Sequence, residues 1–143
     1  MTDETYPAIR QTVLDTTDPR GLAEFYRQLF GLSYRPGDEP PPEGEPDDRG
    51  QDWLVLWRPD GSPLLAFQKV ANLPQSTWPE PGVPMQLHLD TTVPDAAELA
   101  RQHDRALALG ARVLHDRFDD EDEPLRVYAD LAGHPFCIFV SAS

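Results

Sequence analysis

The chain holds a single cysteine, Cys137, in 143 residues. No internal disulfide can form, and a cytoplasmic location is the expectation. No run of about eighteen apolar residues occurs, which excludes a helical membrane span. The opening Met-Thr-Asp-Glu has no basic region followed by an apolar stretch, so no secretory signal is expected. Cations are scarce: 12 Lys and Arg stand against 25 Asp and Glu, a formal charge of −13. Nucleic-acid binding needs clustered cations facing phosphates, so that function class is excluded. Hydrophobic residues make up only 39%, yet the length suffices for one domain with a real core.

What is abundant is proline, with 16 residues, and acid. The acid is concentrated in two stretches: residues 38–52 carry a net −6 and residues 119–123 a net −5, leaving −2 for the rest. Two readings follow. Both stretches can be solvated loops that aid solubility, or they form a negative rim that attracts cationic ligands.

Ile9–Asp15 alternates imperfectly and reads as a strand, with Gln11, Val13 and Asp15 on one face. Asp18-Pro19 starts a helix, the acid capping free amides and proline fitting the first turn. Leu22, Phe25, Tyr26, Leu29 and Phe30 form one apolar stripe, and Gly31 stops the helix. Leu32–Arg35 reads as a short strand. Pro36–Gln51 is too rich in Pro, Gly and acid to pack and is expected to be a mobile loop. Asp52–Arg58 and Leu64–Val70 form a hairpin about Pro59-Asp60-Gly61-Ser62. Ala71–Pro84 is an extended linker, with Trp78 expected to anchor it by burial of its ring.

Met85–Thr91 reads as a strand with Leu87 and Leu89 on one face and Gln86, His88 and Asp90 on the other. Asp95 caps a second helix with the stripe Ala96, Leu99, Ala100, His103 and Leu107, closed by Gly110. Strands over Ala111–Asp116, Leu125–Asp130 and Phe136–Val140 follow, separated by the acidic loop and a turn through Gly133. Leu14-Asp-Thr-Thr-Asp-Pro19 recurs as Leu89-Asp-Thr-Thr-Val-Pro94. The pattern is strand, helix, then about three strands, twice. Module 1 spans about 8–70, the linker 71–84 and module 2 about 85–141. If each helix covers the apolar face of its sheet, the opposite faces share one concavity. Gln11, Gln68, His88 and Cys137 all point there.

With these residues in place, the chain resembles the glyoxalase / bleomycin-resistance / extradiol-dioxygenase group, the vicinal oxygen chelate superfamily. The resemblance rests on Gln11-Thr-Val-Leu-Asp, Phe25-Tyr26, Leu29-Phe-Gly-Leu32 and Leu64-Leu-Ala-Phe-Gln68. In the second half it rests on Leu87-His-Leu-Asp90, Ala108-Leu-Gly-Ala111 and Asp130-Leu-Ala-Gly-His-Pro-Phe-Cys137. It implies an α+β fold of two βαβββ modules forming an open, cup-like mixed sheet with the helices outside, and a homodimer. It also implies that metal-dependent members draw ligands from the first and last strand of each module. Those places here are Gln11, Gln68, His88 and Cys137. The two glutamates expected among them are Gln68 and Cys137. Two neutral amides, one imidazole and one thiol make a poor site for iron, manganese or magnesium, so no cofactor is expected. Zinc or nickel could use His88 and Cys137.

Two main function classes stay open, beside a third, a non-catalytic partner protein with a vestigial pocket. One is a metal-independent binder of small molecules, of the drug-sequestering kind. The other is a lyase, isomerase or dioxygenase, with His88 as the candidate general base. Trp53 and Trp57 share a strand face and serve either as core packing or as an aromatic wall for a planar or cationic ligand. His88 is either a base or an ordinary half-buried imidazole, and Cys137 either a ligand or a small buried hydrophobe. His103, on a helix stripe, is expected to be structural. His115 and His134 carry no signal.

Overall fold

The structure, a computed structural model, describes residues 5–141. Met1–Glu4, where no secretory signal is expected, lie outside the described residues. No described helix is long and apolar enough to cross a membrane. Two open sheets and two helices make an α+β fold. In the first sheet β1 (Thr12–Thr16) runs parallel to β3 (Pro63–Lys69), which pairs antiparallel with β2 (Trp53–Trp57). In the second the order is β4 (Leu89–Val93), β7 (Pro135–Val140), β6 (Leu125–Ala129), β5 (Arg112–Arg117).

Helix α1 (Pro19–Phe30) begins where expected. The Asp18 carboxylate accepts the Gly21 N–H at 3.0 Å, and Gly31 closes the helix at φ 66°. Helix α2 (Ala96–Ala108) is capped in the same way, Asp95 accepting the Glu98 N–H at 2.8 Å. Its inward face differs from the expected stripe. Leu99 and Ala106 are buried while Ala96, Ala100 and Leu107 are exposed. The buried Tyr128 beneath the helix meets His103, whose Nδ1 lies 2.8 Å from its hydroxyl. His103 thus faces the core from the helix, in keeping with the structural part expected of it.

Three further expectations change. The short strand over Leu32–Arg35 is reduced to one bridge, Ser33 to Trp57. Pro36 follows and offers no N–H to extend a ladder. The loop over 36–51 is strapped down. Arg20 gives both a 2.8 Å and a 3.0 Å bond to Asp47 and a 2.7 Å bond to the Asp38 carbonyl, with its guanidinium over the Tyr34 ring. The hydrogen bond from Arg20 holds the Asp47 carboxyl below the usual carboxylate range. Third, β4 begins at Leu89 instead of Met85. Leu89 pairs with Phe136, so the next position back would face Pro135, which cannot donate to the ladder.

One core joins both halves. Phe136 of β7 sits under α1 of the other half, with ring centroids 5.9 Å from Phe25, 5.9 Å from Tyr26 and 6.4 Å from Phe30. Tyr26 also stacks on Phe67 of β3 at 6.1 Å. Its hydroxyl donates to the buried Asp130 carboxylate at 2.6 Å. The helices therefore cover the apolar faces of both sheets and leave the opposite faces open.

Candidate functional site

On the open face of the first sheet, strand register sets side chains in rows, because alternate residues project to the same side. Asp15, Gln68 and Trp53 are successive neighbours across β1, β3 and β2. Val13, Ala66 and Val55 form the row beside them. Trp53 is 42% exposed, so the core-packing alternative does not apply to it. Trp57 shares its face but is half-buried, with the guanidinium groups of Arg10 and Arg35 within 5.4 and 5.0 Å of its ring. The chain's own cations thus occupy the ring that was a candidate wall for a cationic guest. Gln11, just before β1, has its side-chain oxygen buried with no hydrogen-bond partner.

On the second sheet, Asp90 draws two of the expected site residues together. Its Oδ1 lies 3.0 Å from His88 Nε2 and accepts the Cys137 thiol at 2.8 Å. With Nε2 carrying the proton toward the carboxylate, Nδ1 of His88 is the basic nitrogen. Burial pushes the Cys137 thiol up to about 12, and the hydrogen bond to Asp90 and its negative charge add to the shift. At neutral pH the free sulfur therefore keeps its proton, which makes it a poor nucleophile. We expect iodoacetamide to label native Cys137 at pH 8 at least a hundredfold more slowly than the unfolded chain. Asp90→Asn should shift the pH profile of labelling downward, because it removes the charge. Rapid labelling of the native protein would show that the thiol is not held in this way.

The four positions thus divide into two sets. Asp90 joins His88 and Cys137, whereas Gln11 and Gln68 stand on the other sheet, and no hydrogen bond links the sets among the described residues. Also among the described residues, no group of three or more His, Cys, Asp or Glu is arranged to hold a metal ion. The donors present, two amides on one sheet and a thiol and an imidazole both turned to Asp90 on the other, are a poor match for a hard divalent cation.

Sequence reasoning missed a cleft of about 330 Å³ at the seam between the sheets. Val13, Leu14 and Asp15 of the β1 edge form one side. The turn Ala132–Pro135 forms a second, and the linker with residues 83–87 forms the third. The linker lies directly on the turn. Gly133 has φ 91°, and a Cβ there would meet Gln75 Cγ at 2.7 Å, so only glycine fits. His134, which had carried no signal, crosses the seam with Nε2 2.7 Å from the Asp15 carbonyl. Trp78, the expected anchor, rests half-buried with its ring edge-on to His115 at 6.1 Å. One sequence signal did point here: Asp15 lies on the same strand face as Gln11.

Comparison with known proteins agrees with this architecture. No curated relative matches the chain in sequence. Among solved structures, a glyoxalase/bleomycin resistance protein/dioxygenase family enzyme from Burkholderia phytofirmans PsJN superposes with a TM-score of 0.63 at 16% identity, covering 92% of this chain and 96% of that one. The fosfomycin resistance protein FosX from Mesorhizobium loti gives 0.61 at 13% identity over 99% and 94% of the two chains. Lactoylglutathione lyase from Agrobacterium tumefaciens gives 0.58 at 20% identity over 97% of each. At these identities the likeness shows the fold. The family model described as Glyoxalase-like domain matches residues 11–139, and with it the chain belongs to the glyoxalase-like family of the vicinal oxygen chelate superfamily.

Proposed function

We propose that this glyoxalase-like chain binds small molecules in its cup, taking cationic or aromatic compounds without a tightly bound catalytic metal, as a drug-sequestering protein would. The observation that carries the reading is the row on the open face of the first sheet: an exposed indole (Trp53), a neutral amide (Gln68) and a carboxylate (Asp15). An indole face and a carboxylate together suit a planar cation, and neither needs a metal. The charge of −13 adds attraction for such a guest at long range. Isothermal titration with bleomycin and with proflavine tests this. We expect saturable binding to chelator-treated protein, weakened at least tenfold by Trp53→Ala. Absence of heat with both, alongside stoichiometric metal in protein purified without chelator, would remove the proposal.

A second reading has its own support in the His88–Asp90 contact. A half-exposed imidazole oriented by a carboxylate is a serviceable general base for a metal-free lyase or isomerase. If turnover of any substrate is found, His88→Ala must abolish it. Unchanged turnover would exclude His88 from that role.

A further inference from the structure

We infer that the seam cleft is a binding site for a protonated organic amine with a compact apolar body, and that Asp15 is its specificity-determining contact. This rests on the small-molecule reading above and narrows it to one cleft and one ligand class.

The charge argument comes first. Asp15 lines the cleft, and no Lys, Arg or His pairs with its carboxylate among the described residues. The other ionisable group in the lining, His134, is directed at the Asp15 backbone carbonyl, not its side chain. Much of the remaining wall is apolar, with Val13, Leu73, Val83 and Leu87 among its members. An anionic ligand seated there would meet a carboxylate with no compensating cation. A neutral one would strip water from Asp15 and return at most an uncharged donor's hydrogen bond. A protonated amine both fills the apolar space and supplies the missing partner, and a desolvated pair of this kind is stronger than one in water.

Size and shape restrict the class further. About 330 Å³ lies at the lower end of the roughly 300–1,000 Å³ seen for ligand pockets. Packed at protein density, ~0.75, it holds a body of roughly a dozen non-hydrogen atoms. Pro74 and Pro84 stiffen the linker side and Pro135 the turn, so little conformational entropy is lost on binding. Two neutral partners complete the site. The Gln86 amide lines it. Val13 turns its backbone N–H and C=O to the same edge as Asp15, since β1 has no strand beyond it.

The matched probes are 1-naphthylmethylamine and 1-naphthylmethanol, alike in shape and different in charge. Each is titrated into 15N-labelled full-length protein and followed by chemical-shift mapping. The amine should bind at least tenfold more tightly than the alcohol, with shifts centred on Val13, Asp15, Gln86 and His134. Asp15→Asn should bring the amine down to the affinity of the alcohol. Val13→Trp, which fills the cleft from an exposed position, should abolish both. Equal affinity of the two probes for the native protein would overturn the inference without recourse to any variant. So would amine binding that survives Asp15→Asn. Shifts centred on Trp53, His88 and Cys137 would overturn it too, yet leave the cup as a small-molecule site. No shift with either probe overturns this inference alone, because the bleomycin and proflavine titrations judge the broader reading independently.

Discussion

Replacing Phe136 with alanine should destabilise the protein by about 3–5 kcal/mol, the usual cost of emptying a fully buried phenyl site. Phe136 has 0% exposure and is the ring on which both halves meet. Tyr128 stacks on it at 5.3 Å from its own sheet, while Phe25, Tyr26 and Phe30 reach it from α1 of the other half. These neighbours stand on two helical turns and a strand, so they cannot collapse together into the vacancy. Domains of this kind are stable by only about 5–15 kcal/mol in total, so the loss is a large fraction of the whole. Urea unfolding followed by tryptophan fluorescence measures it. A cost under about 1 kcal/mol would mean that Phe136 is not the joint between the halves.

Asp130 carries the second large effect. It is 5% exposed. Its Oδ2 takes the Tyr26 hydroxyl at 2.6 Å, and its Oδ1 takes the backbone N–H groups of Ala132 at 2.8 Å and His134 at 3.0 Å. Asp130→Ala leaves three donors in or near the core without an acceptor, at about 1–3 kcal/mol each. A net loss of about 3 kcal/mol or more is expected, together with disorder of the turn that walls the seam cleft. Asp130→Asn keeps an oxygen for the two backbone donors and should cost far less.

The same pair of variants has a pH signature. Burial pushes the Asp130 carboxyl above its ordinary range, although the Tyr26 hydroxyl, His134 and the backbone donors oppose the shift. The native state then holds the proton more tightly than the unfolded chain. The contribution of Asp130 is fully present below the usual carboxylate value of about 3.9 and declines as pH rises through the raised native value. Stability of the wild type relative to Asp130→Asn should therefore fall from pH 4 toward neutrality. A wild type that gains on Asp130→Asn as pH rises would show the carboxyl held low instead.

Much of the scaffold was legible from residue order. The Asp18-Pro19 cap, the stripe from Leu22 to Phe30 and the Gly31 stop are local signals, and local signals settle a helix. The hairpin of Trp53–Trp57 and Pro63–Lys69 was readable for the same reason. The start of β4 was not. Its alternation begins at Met85, but a strand exists only where a neighbour can donate and accept, and Pro135 withholds that neighbour. The loop over 36–51 was misread because composition records how poorly a segment packs on itself. It does not record that Arg20, from a helix, supplies the bonds.

The candidate site divides along the same line. Which face of β1, β3 and β7 lies away from the helices follows from a period of two, but on that side Cys137 is only 6% exposed and the Gln11 side-chain oxygen is buried. Their chemistry depended on distances across the chain. Asp90 reaching both His88 and Cys137, a thiol driven up by burial, and Arg10 and Arg35 settling on Trp57 are contacts between separated segments. Residue order by itself was enough to point to the family, both helices with their caps, and the alternation of faces along most strands. Only the tertiary structure decided which polar groups satisfy one another and which, like Asp15, have no cationic partner among the described residues, because hydrogen bonding and desolvation are set by neighbours in space.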